Sequence, residues 1–396
     1  MKDLKDLNVL SLGYTRDLLS SSEEEIGESS DRMGFYAKFL KNYFVLVFSL
    51  KKHNLSAKKT GNMTIIPTQG IFRIDALFKM YSLADKICRE NKIDIIQAQD
   101  PVFMGVIGLL LKRKYKIVLN TIVYGCNPYD KYWVNEKKLN LILAPIAKNV
   151  LKNSDGIQVD GLKVLNSLKR NGLDSSKIFY KPVIPKSINL FKEADGNRVR
   201  KQLLKEGENK LLLFVGRLSL QKNIPFLIAC FQDIAKKFLS VRLVIIGEGE
   251  EEKKLKDFSG KLGLEDKITW IKSLPYAKIP EYFKACDVFL LPSLYEGFPK
   301  VLMEATMSGK PIISTDISGT EEVVMEGESG FIIPQGGREK FVEKTLFLLR
   351  NEKTTEKMGK RAQEIITEKF DPDKTRLEQI NIWEKLIKNK SCSGEK

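Results

Sequence analysis

Residues Tyr295–Ile313 read YEGFPKVLMEATMSGKPII. The stretch sets two carboxylates, Glu296 and Glu304, eight positions apart around a Gly-Phe-Pro turn, and a Gly-Lys-Pro break closes it. Just upstream, VFLLPS (Val288–Ser293) is a short apolar run suited to a buried parallel strand. Pro299 suits a first helical position, and Lys300–Ser308 can continue the helix until Gly309 and Pro311 stop it. Glu296 is therefore expected at the carboxyl end of a strand and Glu304 in the second turn of the next helix. Open α/β sheets bind ligands in that crevice. The helix amino terminus there presents unpaired N–H groups and a positive dipole end to an anion. Two glutamates at this spacing also fit a plain strand-turn-helix with a solvated pair. What separates the two readings is the company of Gly297, Phe298, Pro299, Ala305, Gly309 and Pro311.

The same grammar extends in both directions. A β-α series occupies Lys210–Val215, Val241–Ile246, Ile268–Trp270, Val288–Pro292, Pro311–Ser314 and Gly330–Ile333, with helices between. An earlier series has strands at Leu7–Leu12, Phe44–Ser49, Asn62–Ile66, Asp94–Ala98, Lys116–Asn120 and Gly156–Val159. Its helices are Asp31–Lys41, Ile74–Asn91, Val102–Lys112, Lys137–Lys152 interrupted at Pro145, and Gly161–Arg170. Strands separated by helices of this length predict parallel sheets covered on both faces. Two prolines break the periodicity in PVIPKSINLFKE (Pro182–Glu193), the expected linker. The fold class is α/β: two doubly wound, Rossmann-like domains, with boundaries at 1–190 and 191–370 and a terminal segment 371–396.

Two further constellations carry chemistry. VGRLSLQKN (Val215–Asn223) ends a strand with Gly216-Arg217 and places Lys222 five residues later. A guanidinium fork and an ammonium point charge near a strand's carboxyl end can clamp a diphosphate, although alone they would read as solvated loop charges. IIGEGEEEKKL (Ile245–Leu255) is a strand, a Gly-x-Gly turn at Gly247 and Gly249, and a helix start. The acids Glu250–Glu252 suit a helix amino terminus and argue against a phosphate in that turn.

Taken together, these residues resemble the Glu-x7-Glu signature of retaining family-4 glycosyltransferases, which have the GT-B fold. That resemblance covers residues 210–335 closely, including SGTEEVV (Ser318–Val324) and the strand Gly327–Ile333. It implies that Glu296 lies against the donor sugar and that Glu304 binds the ribose hydroxyls of a nucleoside-diphosphate sugar, a UDP- or GDP-sugar. Arg217 and Lys222 would bind the diphosphate, with no cofactor and no metal required. Gly297, Phe298, Pro299, Lys300, Val301, Gly247, Gly249 and Glu250 would complete the donor site. In that fold the domains face a central cleft, the first on the acceptor side and the second on the donor side. The last helix crosses back to the first domain; Arg376–Lys388, bearing Trp383 and Ile387, is the candidate, and the tail NKSCSGEK is expected to be disordered. The first half resembles the family less. QDPVFMGVIGLLLKRKYKIVLN (Gln97–Asn120) is similar to its Asp-Pro helix and strand, but Tyr124 stands where many relatives carry a His. The glycine-rich first loop is reduced to Gly13 and an acidic-serine stretch. Gly13, Tyr124 and Asp100 are the acceptor-side candidates.

Composition narrows the alternatives. One histidine, His53, and five scattered cysteines without a C-x-x-C pair leave little material for a zinc site, a disulfide framework or a Ser-His-Asp triad. No apolar run reaches the ~18–20 residues that span a bilayer, and the amino terminus lacks a signal-peptide pattern, so a cytoplasmic protein is expected. The net charge is +16, and residues 1–190 hold 30 Lys+Arg against 18 Asp+Glu. That imbalance suits an anionic partner: a membrane surface at the inner face of the cell membrane, met through LKRKYK (Leu111–Lys116), or a lipid-pyrophosphate. The cluster also reads as a helix end complementing its dipole. No aromatic-basic signature supports a nucleic acid. The expected function is retaining transfer of a sugar to a saccharide or lipid-linked acceptor in cell-envelope synthesis. The alternatives are a catalytically silent relative that binds nucleotides and a sugar-nucleotide epimerase.

Overall fold

The computed structural model describes residues 3–19, 28–185 and 188–393. The chain divides into two compact units, Met1–Pro182 with Pro372–Lys396, and Val183–Asp371.

The first unit is built on eight strands: β1 (Asn8–Gly13), β2 (Asn42–Val47), β3 (Lys58–Thr60), β4 (Met63–Pro67), β5 (Ile95–Ala98), β6 (Val118–Val123), β7 (Gly156–Val159) and β8 (Ile178–Tyr180). Their order is β3-β4-β2-β1-β5-β6-β7-β8, and all pairs are parallel except β3 with β4. Val9 pairs with Tyr43 on one side and Ile95 on the other, so the chain reverses its direction of growth between β1 and β5. Every residue of β1, β5, β6 and β7 is buried, as expected for a sheet covered on both faces. Leu10, Leu12, Ile96 and Leu119 pack with the helices Arg73–Glu90, Phe103–Tyr115 and Lys138–Asn153. Val9, Val45 and Ile95 pack on the other face with the helix Glu28–Ala37 and the last helix, Pro372–Ser393. Trp383 of that last helix is fully buried, donates from Nε1 to Gln97 Oε1 at 2.8 Å and lies edge-on to Tyr36 and Tyr43.

The second unit holds β9 (Lys210–Val215), β10 (Val241–Ile246), β11 (Ile268–Ile271), β12 (Val288–Leu291), β13 (Ile312–Thr315) and β14 (Gly330–Ile333). All six are parallel, in the order β11-β10-β9-β12-β13-β14. Counted within the unit this is 3-2-1-4-5-6, with the topological switch point between β9 and β12.

Several local expectations change. β3 and β8 are short edge elements that the hydrophobic pattern does not announce; β3 is Lys-Lys-Thr, exposed throughout. Pro145 does not interrupt its helix, which runs from Lys138 to Asn153. Pro145 and Leu141 both face solvent, so the carbonyl released by the missing N–H is met by water. Ile188–Glu193 is helical inside the stretch read as linker. The last helix continues to Ser393, through most of the tail expected to be disordered, and 394–396 lie outside the described residues. Most of the acidic-serine stretch, 20–27, also lies outside them, and Glu28–Ser30 open the first helix.

Candidate active site

The loops that leave β9 and β12 meet at the switch point of the second sheet. Leu213 of β9 pairs with Phe289 of β12, so the residues that follow both strands emerge side by side. From β9 the chain passes Gly216-Arg217, crosses a single 3-10 turn (Leu220–Lys222) and enters the helix Ile224–Lys237. From β12 it runs irregularly from Pro292 to Pro299 and enters the helix Lys300–Met307.

Glu296 is the polar centre of this junction. Its carboxylate forms an ion pair with the Lys222 ammonium. Ser293 Oγ donates to the same oxygen at 2.9 Å, and Gln221 Nε2 donates to the other at 3.1 Å. Gln221 also ties the two loops through their backbones, donating to Tyr295 O at 2.9 Å while its own carbonyl accepts from Leu294 N at 2.8 Å. The 293–296 turn is held from behind as well. Thr315 Oγ1, at the end of β13, donates to Ser293 O at 2.6 Å. Gln335, just past β14, donates from Nε2 to Ser293 O and Leu294 O at 2.9 and 3.1 Å. Four strand ends thus fix one carboxylate.

Glu304 is buried within its helix, and its Oε1 accepts from Tyr276 OH at 3.3 Å. Tyr276 is partly exposed, and its ring stacks edge-on against Phe191. Gly297, Phe298 and Pro299 are buried, with Phe298 edge-on to Phe370. Gly319, at φ +87°, comes so close that a Cβ there would lie 2.7 Å from Pro299 Cδ and 3.2 Å from the Phe298 backbone. Pro299 caps the helix without a side-chain hydrogen bond, and the first-turn amides of Lys300 and Val301 have no acceptor within the helix. Lys300 is exposed. Arg217 is also exposed and makes no ion pair among the described residues.

The Gly-x-Gly loop runs alongside. Gly247 has φ +146°, and a Cβ on it would lie 2.0 Å from Gly216 O; one on Gly249 would lie 2.2 Å from Leu218 O. Leu218 N donates to Glu248 O at 3.0 Å, and Glu251 N to Leu218 O at 3.1 Å. The glycines serve backbone-to-backbone contact between the β9 and β10 loops. Glu250 is exposed at the rim of that loop.

The three candidates of the first unit lie on the carboxyl edge of its sheet. Gly13 ends β1, where a Cβ would lie 1.9 Å from Gln99 Oε1. Asp100 is buried, and its carboxylate accepts from the amides of Val102 and Phe103 at 2.7 Å, from Met104 at 3.3 Å and from Tyr14 OH at 2.9 Å. It therefore caps the helix Phe103–Tyr115. Burial raises its carboxyl above the usual range, and these four hydrogen bonds oppose the rise. Tyr124 sits half-buried just past β6, where burial raises its phenol. The basic run Leu111–Lys116 is partly neutralised: Lys112 pairs with Asp155 at 2.6 Å and Lys114 with Asp85 at 2.7 Å, while Arg113 and Lys116 stay exposed.

Gln221, Ser293, Thr315, Gln335, Gly319 and Tyr276 support the site without having been singled out in the sequence. Gln221 and Ser293 do lie inside the two stretches that were. Gly319 lies inside the stretch Ser318–Val324, which the sequence also marked, whereas Thr315, Gln335 and Tyr276 are brought in by tertiary structure alone.

Comparison with known proteins fits this arrangement. Residues 195–365 match the family described as glycosyl transferases group 1. The second unit carries that family's domain. An uncharacterized glycosyltransferase of Methanocaldococcus jannaschii is 26% identical over 324 residues, covering 79% of this chain and 81% of that protein. Among solved structures, sucrose-phosphate synthase from Thermosynechococcus elongatus superposes with a TM-score of 0.81 at 17% identity, over 97% of this chain and 100% of that one. Anabaena HepE in complex with UDP and glucose superposes with a TM-score of 0.75 at 19% identity, over 96% and 99%. The fold of this glycosyltransferase is therefore GT-B.

Proposed function

We propose that this glycosyltransferase moves a sugar, with retention of anomeric configuration, from a nucleoside-diphosphate sugar to a saccharide or lipid-linked acceptor of the cell envelope. The observation that carries the reading is the Glu296 carboxylate, fixed by Lys222, Gln221 and Ser293 at the switch point of a 3-2-1-4-5-6 sheet. Open α/β sheets hold nucleotides at such a point. The complex of HepE with UDP and glucose supports a UDP-sugar as donor.

Breaking the glycosidic bond to the diphosphate develops negative charge on the leaving group and positive charge on the anomeric carbon. The exposed Arg217 guanidinium, the remaining N–H groups of Lys222 and the first-turn amides of Lys300 and Val301 meet the first charge. Glu296, held with a fixed orientation, meets the sugar hydroxyls and the second. The two oxygens of Glu304 suit the ribose hydroxyls, and Tyr276 donates to one of them in the free protein. Gly247, Gly249 and Glu250 line the base side, and Phe298 and Pro299 support the helix start from within. On the first unit, Gly13, Asp100 and Tyr124 are assigned to the acceptor side, with Asp100 acting as a cap that shapes the loop.

The test is release of nucleoside diphosphate from UDP- and GDP-sugars with EDTA present, followed by NMR of the product's anomeric centre. Release from one donor with retained configuration is expected. Interconversion of the sugar nucleotide without release would favour an epimerase, and binding without turnover a silent relative.

A further inference from the structure

Tyr276 reaches Glu304 from a part of the second unit that holds none of the site residues marked in the sequence. The chain leaves β11, the edge strand of the sheet, turns at Pro275 and runs back as the helix Ile279–Ala285 to β12. Tyr276 opens the 3-10 turn where that return begins, and its hydroxyl donates to Glu304 Oε1 at 3.3 Å. The residue is 39% exposed, so a ligand can approach the ring while its inner side is held. What holds it is a run of aromatic rings. Tyr276 lies edge-on to Phe191 at 5.7 Å, Phe191 edge-on to Phe283 at 5.8 Å, and Phe283 tilted against Phe289 at 5.2 Å. Phe191, Phe283 and Phe289 are fully buried, and Phe289 lies on β12, paired with Leu213 of β9. The phenol is thus anchored to the strands whose loops carry Glu296 and Lys222. The loop before it is tied as well: Ser273 Oγ donates to Glu248 Oε2, in the Gly-x-Gly loop, at 3.1 Å.

An ionised carboxylate offers about four lone-pair positions on its two oxygens. A vicinal diol uses one on each oxygen, so a donor already on Oε1 leaves room for both ribose hydroxyls. The effect of that donor is on orientation. A glutamate has several turning torsions, and fixing them when a ligand arrives costs rotamer freedom. Glu304 is buried, so bulk water does not stand in for a missing donor. A phenol on a rigid support sets the carboxylate plane before the nucleotide arrives, and charge-assisted, two-point hydrogen bonding gains most from such alignment.

We propose that Tyr276 is a positioning residue for the donor, orienting Glu304 towards two ribose hydroxyls and thereby setting a preference for ribonucleotides over 2′-deoxyribonucleotides. This role rests on the assignment of Glu304 to the ribose. It acts on donor binding and not on departure of the diphosphate, which faces Arg217, Lys222 and the start of the helix Lys300–Met307.

The test is calorimetric titration of the full chain with UDP, GDP and their 2′-deoxy counterparts, on wild type, Tyr276→Phe and Glu304→Ala, together with donor kinetics. Tyr276→Phe keeps the ring in its aromatic run, so the free protein should melt within about 2 °C of wild type. The nucleoside diphosphate that binds should be weakened by roughly five- to ten-fold, short of the full value of a hydrogen bond to a charged group because the contact is long. The loss should fall on the donor KM rather than on kcat. Wild type should prefer the ribonucleotide by roughly ten-fold or more. Tyr276→Phe should narrow that preference by roughly three-fold or more, the low end of coupling between groups that share a partner. A merely structural role would weaken both nucleotides alike. Binding lost in Glu304→Ala but unchanged in Tyr276→Phe, an undiminished ribose preference, or tighter binding without the phenol would each overturn the proposal and leave Glu304 on the ribose. No binding by any nucleotide, or binding indifferent to Glu304→Ala, would remove the assignment of Glu304 itself and the role of Tyr276 with it.

Discussion

Lys222→Met tests the site at its hinge. The substitution keeps the length of the side chain and removes the cation that faces Glu296. Both partners are largely enclosed, at 14% and 10% exposure. Removing one partner of a fully buried pair costs ~3–5 kcal/mol, and an exposed pair contributes less than ~1 kcal/mol. This pair lies between those limits, and Glu296 keeps Ser293 and Gln221 as donors, so a loss of ~2 kcal/mol is expected. In a unit of this size that lowers the melting transition by roughly 4–8 °C. Activity should fall further. Removing one preorganised donor from a developing anion costs ~10²–10³ in kcat. The assay is a double-mutant cycle of Lys222→Met and Glu296→Gln, read by thermal unfolding and by release of nucleoside diphosphate. Coupling of ~1–2 kcal/mol is expected for groups in direct contact. Additive effects on stability, together with unchanged kcat, would refute the reasoning and leave Lys222 a loop cation.

Two other predictions rest on different parts of the molecule. Gly247→Ala places a methyl 2.0 Å from Gly216 O at a φ of +146°; it should destabilise the second unit by at least ~2 kcal/mol and weaken nucleotide binding, both visible by calorimetry. Lys181 is buried near Arg32, Asp160, Glu378 and Arg376, and burial, with Arg32, lowers its ammonium to about 7. The unfolded chain holds that proton up to its ordinary value near ~10.4, so stability should rise with pH from about 7 towards 10, by at most ~1.4 kcal/mol per pH unit, and be insensitive to this group below 7. Lys181→Met should raise stability at neutral pH and flatten that slope in urea titrations.

The second unit was largely legible because its strands are buried apolar runs bounded by glycine and proline. Lys210–Val215, Val241–Ile246 and Gly330–Ile333 match the sequence reading residue for residue, and the others agree within a residue or so at each end. The order of those strands was not readable, since periodicity says nothing of neighbours, and it is the order that brings the Arg217–Lys222 loop beside Glu296. Lys222 read as a diphosphate ligand; its pairing with Glu296 needed the fold. The clamp of Thr315 and Gln335 on the 293–294 carbonyls was invisible for the same reason. Charge count in the first half drew attention to Leu111–Lys116, but the partners of Lys112 and Lys114 lie about thirty to forty residues away in sequence.

Nucleotide binding is the most direct test of the central assignment. Isothermal calorimetry of the full chain with UDP, GDP, ADP and CMP, with EDTA present, should find one nucleoside diphosphate that binds. Glu304→Ala should weaken that ligand by ~10–100-fold, the loss of a carboxylate's two charged hydrogen bonds, and leave the melting transition of the free protein within a few degrees. Equal affinity in Glu304→Ala and wild type, or no binding by any of the four, would contradict a donor site at the β9–β12 switch point.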